Sequence, residues 1–296
     1  MAIKRYMYVT VNRRFDSSIR VSYTKTEIVD SLKELQHEII REAMKMVGLK
    51  GGVEITTIAD LPAGIGLASS STVTVGVLNA LYAFVGRHVS AEELAQRACA
   101  IEIDVLGKPI GKQDQYLAAY GGFQHVRFNP DESVEVNPII CSTEALQSLQ
   151  KRLLVFYTGM QRSASSVLKD AKRRINGNGS VQATMDQLVW LSEELRHQLL
   201  RNETAQVGQI LARAWELKKH MATKVTNNTL DSFYSKAIAA GAEGGKVLGA
   251  GGGGCLLVNV QPRNQAKVRK AMKAAGLTEV PFAIEQEGSK IIYVGG

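Results

Sequence analysis

Apolar positions recur along the chain with two periods, which predicts a protein of mixed helix and strand. The segments 6–14 and 19–24 are rich in β-branched and aromatic residues and predict a hairpin. Apolar residues at helical spacing follow over 32–47, and 53–58 is the next predicted strand. The nearly all-apolar segment 73–85 predicts a buried helix.

The pattern changes near residue 150, and we place a domain boundary between residues 148 and 149. Domains 1–148 and 149–296 each mix strands with helices, which predicts an α+β fold. Beyond the boundary the sequence predicts strands over 153–157 and 255–260, helices over 163–174, 181–201, 204–221 and 228–241, and a final strand pair over 282–285 and 290–294.

The composition favours a folded protein with acidic ligands. A chain of 296 residues with 45% hydrophobic content can bury ample core, which argues against disorder. The net charge of +8 suits phosphates and sugar phosphates, and it also suits nucleic acid. Aromatic residues are only 6%, most basic residues are scattered, and no nucleic-acid signature occurs, so we expect no nucleic-acid partner.

Three widely spaced cysteines, Cys99, Cys141 and Cys255, support neither a disulfide framework nor a zinc site. They fit a reducing cytoplasm. No segment approaches ~18 uninterrupted apolar residues and no signal-peptide core is present, so we expect no export and no membrane partner.

The loop 61–72, LPAGIGLASSST, runs from a predicted strand into a predicted helix. Glycines, a helix N-terminus and hydroxyl side chains together are typical of a phosphate cradle with a bound Mg²⁺. An ordinary strand-to-helix turn with a serine cap is the alternative. The loop fits neither a P-loop nor a dinucleotide fingerprint. The candidate nucleotide-binding residues are Pro62, Gly64, Gly66, Leu67, Ala68, Ser69, Ser70 and Ser71.

Gly249 to Gly254 form a second glycine-rich loop, set between two apolar segments. Such a run indicates that something approaches the backbone closely. A nucleotide is one explanation, and a tight turn packed against another element is the other. The first explanation makes Gly251, Gly252 and Gly253 contacts of the nucleotide.

Two acids are candidates for chemistry. Glu102 lies at the edge of an apolar helix face and could bind Mg²⁺, or it could simply reach solvent or an arginine. Asp114 follows in a polar segment with Lys112 and Gln113, where it could accept the proton of a substrate hydroxyl or cap a helix. Arg162 could grip a phosphate or face solvent.

In this order, the segments resemble the GHMP small-molecule kinases, whose second motif is similar to 62–70 and whose third is similar to 246–255. The run 102–116, with Tyr157-Thr158-Gly159, is most similar to the D-glycero-D-manno-heptose 7-phosphate kinase branch. The resemblance implies ATP-dependent phosphorylation of a sugar phosphate at its anomeric hydroxyl. It also implies an N-terminal domain like ribosomal protein S5 domain 2 and a ferredoxin-like C-terminal domain.

Carried over by position, the resemblance makes Ser70 and Glu102 the Mg²⁺ contacts and Asp114 the catalytic aspartate. The cofactors are then ATP and Mg²⁺, with Lys112, Gln113 and Arg162 on the substrate. A homodimer is one candidate assembly.

Two features depart from the family pattern. Ala68 stands where the family usually has glycine, so a positive φ there would strain the loop by ~1 kcal/mol or more. The family's first motif, a strand and a glycine-rich turn, has no counterpart before Tyr6, so Met1 resembles an internal start. A nucleotide-binding protein impaired in catalysis is therefore an alternative function. RNA binding is a third, since S5-like domains occur in ribosomal contexts.

Overall fold

The computed structural model describes residues 1–161, 164–177 and 179–295. Its internal contacts divide the chain into two compact units. Unit 1 comprises Met1–Ala63, Ala68–Asn137 and Ile284–Gly296, and unit 2 comprises Gly64–Leu67 and Pro138–Ala283. Between the long segments of the two units the division falls at Asn137/Pro138, and the domain boundary at 148/149 stays a prediction. A helix over Thr143–Arg152 spans the expected boundary and runs directly into a strand of unit 2.

Unit 1 contains a four-stranded sheet in the order β1-β4-β2-β3. Strand β4 pairs antiparallel with β1 and parallel with β2, and β2 pairs antiparallel with β3. The predicted hairpin between the first two strands is wrong, because β4 lies between them. The strands are β1 (Met7–Arg13), β2 (Ile19–Ser22), β3 (Thr26–Val29) and β4 (Val53–Ala59).

Four helices pack together in this unit, and the second of them contacts the first strand of the sheet. They are α1 (Glu38–Val47), α2 (Ser69–Phe84), α3 (Ala91–Cys99) and α4 (Gln113–Tyr120). The first begins later than predicted because the ring of His37 caps it, accepting a hydrogen bond from the Ile40 amide. One π-helical turn, Ala100–Val105, continues α3. A separate two-stranded sheet is formed by β5 (Gln124–Phe128) and β6 (Val134–Pro138).

Unit 2 contains a second four-stranded sheet, antiparallel throughout, in the order β10-β7-β9-β8. Every residue of β9 is buried, and Phe156 and Trp215 are among the largest side chains of the core. The strands are β7 (Leu153–Tyr157), β8 (Ala242–Val247), β9 (Cys255–Val260) and β10 (Thr278–Glu279).

The four helices predicted for this half of the chain are present. The helices of unit 2 are α5 (Thr143–Arg152), α6 (Ala164–Gly177), α7 (Gly179–Leu200), α8 (Val207–Met221), α9 (Asn228–Ala239) and α10 (Gln265–Ala274), with a short 3₁₀ turn over Pro262–Asn264. No helix among the described residues is long and apolar enough to cross a membrane.

The predicted final strand pair over 282–285 and 290–294 is wrong. Between residues 281 and 295 the structure shows one isolated bridge, from Ile284 to Ile3, and no strand. Ile292 and Tyr293 are exposed, so the β-branched composition of this segment is not matched by a partner strand. The sheet of unit 2 instead has the two-residue β10 at its edge.

Candidate active site

Glu102 is the buried centre of a group of polar side chains in unit 1. It lies on the π-helical turn and is 0% exposed. The Ser70 hydroxyl donates a hydrogen bond to its Oε1, and Gln115 Nε2 donates to its Oε2 at 2.7 Å. A buried carboxylate requires such donors, because it has lost its hydration. Side chains at the starts of α2 and α4 supply these donors. The role of Glu102 as a Mg²⁺ ligand stays a prediction.

Lys108 is a further member of this group. Its Nζ lies 3.6 Å from Glu102 Oε1, 3.3 Å from Ser70 Oγ and 3.2 Å from Glu38 Oε1. The Lys108 amide donates to the Glu102 carbonyl at 2.9 Å, so the chain turns back immediately after the helix. Gly107, with φ of 61°, makes that reversal.

Asp114 is in the first turn of α4, where Lys112 rather than Asp114 occupies the cap position. Burial raises the pKa of Asp114, the neighbouring Glu102 charge raises it further, and a hydrogen bond with the Gln113 side chain opposes the shift. A raised pKa makes a carboxylate a better proton acceptor. We call Ser70, Glu102, Lys108, Asp114 and Gln115 the unit 1 polar cluster.

Helix α2 begins at this cluster. The amide N–H groups of Ser69, Ser70 and Ser71 lie in its first turn, where a helix offers no internal acceptor. Ala68 precedes them in the left-handed conformation, with φ of 58°, which is the conformation that strains an alanine. Ser71 is buried, whereas Pro62 is exposed.

The preceding residues of this loop belong to unit 2 and pack against the second glycine-rich loop. Gly64 and Gly66 have φ of 82° and 80°. A Cβ at Gly254 would lie 2.7 Å from the Ile65 carbonyl oxygen. The two glycine-bearing segments that the sequence singled out are therefore in contact at the level of backbone atoms.

Protein backbone also explains the rest of the second loop. A Cβ at Gly251 would lie 2.6 Å from the Val225 carbonyl oxygen, and one at Gly253 would lie 2.7 Å from that of Met160. The Gly252 amide donates to the Val225 carbonyl. The close approach inferred from the glycines is thus an approach of the chain to itself, and nucleotide contacts of Gly251, Gly252 and Gly253 stay predictions.

Lys218 of α8 braces the same loop by donating to the Gly249 carbonyl. Burial, and secondly the charge of Lys246, lower the pKa of Lys218 to about 7. Burial also lowers the pKa of Lys246. This part of unit 2 therefore disfavours additional positive charge.

The predicted substrate residues have different surroundings. Lys112 Nζ lies 3.6 Å from a carboxylate oxygen of Glu132, and the Gln113 side chain is directed to Asp114. Arg162 lies outside the described residues.

Sequence reasoning assigned no role to Lys108 or Gln115. Their position could have identified them as candidates, because both lie in one polar segment with Asp114, just after the helix that carries Glu102.

The oxygen atoms of the cluster suit Mg²⁺. They include the Glu102 carboxylate, the Ser70 hydroxyl and Gln115 Oε1. This last atom is buried and has no hydrogen-bond partner among the described residues. Hard oxygen donors of this kind are what Mg²⁺ prefers. Within the described ranges no group of three or more His, Cys, Asp or Glu residues could hold a metal. A Mg²⁺ here would therefore depend on phosphate oxygens as well as on Ser70 and Glu102.

Comparisons with known proteins agree in one family. The family description "GHMP kinases N terminal domain" matches residues 32–122, and "GHMP kinases C terminal" matches residues 195–277. The D-glycero-alpha-D-manno-heptose 7-phosphate kinase of Campylobacter jejuni is 29% identical, with 97% of this chain and 88% of that protein covered. The galactokinase of Pyrococcus furiosus is 28% identical over 81% of this chain and 72% of its own length.

A solved structure extends the similarity to the whole fold. The crystal structure of a D-glycero-D-manno-heptose 1-phosphate kinase from Bacteroides thetaiotaomicron superposes with a TM-score of 0.76 at 25% identity. The superposition covers 99% of this chain and 89% of that one.

Proposed function

Because the chain belongs to the GHMP kinases, and so is a phosphotransferase with a hydroxyl acceptor, we propose that it is an ATP-dependent sugar-phosphate kinase. The proposed acceptor is D-glycero-D-manno-heptose 7-phosphate, at its C1 hydroxyl. The observation that carries the chemistry is the buried Glu102, hydrogen-bonded to Ser70 and Gln115 beside Asp114. The heptose assignment is supported by two heptose-phosphate kinases that are similar to this protein over nearly the whole chain.

In this proposal Asp114 accepts the proton of the acceptor hydroxyl as the phosphoryl group is transferred. Its raised pKa, caused first by burial and then by Glu102, brings it closer to that of an effective base. Ser70 and Glu102 would hold Mg²⁺, which supplies charge neutralisation of the phosphates when bound. Gln115 keeps the Glu102 carboxylate oriented.

The first-turn amides of Ser69, Ser70 and Ser71 would bind ATP phosphates at the positive end of α2. The rest of the loop before α2 would also contact the nucleotide, through Pro62, Gly64, Gly66, Leu67 and Ala68. The third motif would contribute Gly251, Gly252 and Gly253. Lys112, Gln113 and Arg162 would contact the acceptor. The free cysteines fit a reducing compartment such as the cytoplasm.

The test is ADP release by the purified protein with ATP and a panel of acceptors. The names of the two heptose kinases differ in the position of the phosphate, so both heptose 7-phosphate and heptose 1-phosphate are offered, together with galactose and mevalonate. We expect turnover with the 7-phosphate and a new anomeric phosphate signal in the ³¹P spectrum of the product. Preferential turnover of galactose or mevalonate would contradict the proposed acceptor.

A further inference from the structure

We propose that, in the metal-free protein, the ammonium group of Lys108 neutralises the charge of Glu102 and contacts Ser70. A divalent cation that binds at Ser70 and Glu102 then displaces this ammonium group. The inference rests on the proposed function in one respect, that the metal binds at Ser70 and Glu102. It assigns a role to a residue for which the sequence analysis proposed none.

The charge of Glu102 needs an opposite charge nearby. This carboxylate has no exposed surface, and its hydrogen-bond donors Ser70 and Gln115 are neutral. A buried charge without an opposite charge is strongly destabilising. Among the described residues, the ion pair recorded for Glu102 is the one with Lys108, at 3.6 Å.

Lys108 and Ser70 contact the same carboxylate oxygen of Glu102. Lys108 Nζ approaches Glu102 Oε1, the same atom that accepts the Ser70 hydrogen bond, and it also lies 3.3 Å from Ser70 Oγ. The ammonium group thus sits against both oxygens that would ligate Mg²⁺. A magnesium ion takes its ligands at about 2.0–2.1 Å, so an ion bound to these two oxygens would lie close to the ammonium group. The two positive charges would repel each other at that distance, which favours displacement of the lysine.

Glu38 shows where the displaced group would remain. It lies in the first turn of α1, with its Oε1 3.2 Å from Lys108 Nζ, and its side chain is about half exposed. This second carboxylate can retain the ammonium group beside the cluster after Glu102 is taken by the metal. Lys108 would then lie near the N-terminal turn of α2, available to phosphate oxygens.

The experiment measures metal binding without nucleotide, from the spin resonance signal of free Mn²⁺. Lys108→Gln removes the competing charge, and we expect it to bind Mn²⁺ about fivefold more tightly than the wild type, the size of a modest ion-pair contribution. Lys108→Arg keeps the charge and should stay within about twofold of the wild type. Lys45→Gln is the matched control, because it removes a lysine of α1 that pairs with Glu42 instead.

A second readout needs no variant at position 108. In the wild-type protein, limited acetylation followed by mass spectrometry should show higher reactivity of Lys108 when Mg²⁺ is added, while Lys45 is unchanged. This keeps the proposal testable if the glutamine variant does not fold.

The outcomes separate the two proposals. Glu102→Gln should lose Mn²⁺ binding, and if it binds as the wild type does, the metal site itself is misplaced. If Glu102→Gln loses binding while Lys108→Gln binds no more tightly than the wild type and Lys108 reactivity is unaffected by Mg²⁺, the role of Lys108 is refuted and the metal site stands.

Discussion

The unit 1 polar cluster and the glycine loop of unit 2, Gly249–Gly254, are held together by different interactions, although sequence reasoning gave residues of both a part in nucleotide binding or phosphoryl transfer. The cluster brings together side chains from separate elements around a buried carboxylate. The glycine loop places its backbone against the backbone of Met160 and Val225. Side-chain chemistry explains the first region, and close packing already explains the second.

This difference predicts opposite behaviour on substitution. Isosteric changes in the cluster should impair phosphoryl transfer with little loss of stability. Changes in the glycine loop should reduce stability first, because they place atoms where the chain already lies.

Asp114→Asn should have the largest effect. If Asp114 accepts the hydroxyl proton, kcat should fall by ~10²–10⁴-fold, the usual contribution of a positioned base. ADP release at saturating ATP and acceptor measures it. Asp131→Asn is the matched control, because it makes the same change at an exposed aspartate of the β5–β6 turn, and it should leave activity unchanged.

The same variant should be more stable than the wild type at neutral pH. Burial and the Glu102 charge raise the pKa of Asp114 in the folded protein above its unfolded value. At pH values between the unfolded and the folded pKa, the unfolded chain therefore binds fewer protons than the folded protein. Stability falls as the pH rises through this range. Asparagine removes this loss, so the variant's Tm advantage should be present at pH 7 and shrink towards pH 4. A lower Tm at pH 7 would contradict the charge argument.

Glu102→Gln should follow in size. Removing the carboxylate that would bind Mg²⁺ should reduce kcat/KM by ~10²-fold or more, comparable to the loss of one preorganised electrostatic contact. The Mg²⁺ concentration needed for half-maximal activity should increase in the same variant. An unchanged magnesium dependence would exclude Glu102 as a ligand.

Gly253→Ala tests the other region. A Cβ would meet the Met160 carbonyl oxygen at 2.7 Å, so we expect a loss of ~1–3 kcal/mol in the free energy of unfolding of unit 2. Gly111→Ala is the control, because no atom lies within 4 Å of its Cβ position and its φ is not positive. Urea titration measures both. Equal stability of the two variants would mean that the loop can move aside.

Ala68→Gly should have the smallest effect. Its φ of 58° strains an alanine, and glycine relieves the strain while increasing the freedom of the unfolded chain. We expect a net gain of about 0.5 kcal/mol, measured as a small rise in Tm, with activity retained. A decrease in Tm would show that the alanine methyl group contributes packing that outweighs the strain.

The sequence predicted some features of the site and fold because they are local. Helical periodicity identified the long helices of unit 2, and the loop chemistry identified Ser70, Glu102 and Asp114 as candidates. The helices that lie between these residues are also local features, and glycines such as Gly86 and Gly107 follow their ends in the sequence. The resemblance to a family then arranged them in one site. In the structure Ser70 is hydrogen-bonded to Glu102, and the Glu102 charge contributes to the raised pKa of Asp114.

Other features depend on tertiary pairing and could not be predicted locally. Strands β1 and β2 are adjacent in sequence, but β4 enters between them, and no period along the chain encodes that order. The apolar residues after 290 have strand composition without a partner strand. Lys108 reaches Glu102 because a π-helical turn and Gly107 reverse the chain, a geometry without a simple sequence pattern.

The central claim is that the unit 1 polar cluster performs the transfer step, and single-turnover kinetics test it most directly. Wild type and Asp114→Asn are each mixed with limiting ATP, Mg²⁺ and heptose 7-phosphate, and ATP affinity is measured separately. The account predicts equal ATP affinity and a transfer rate lower by ~10² or more in the variant. Equal transfer rates in the two proteins would contradict it.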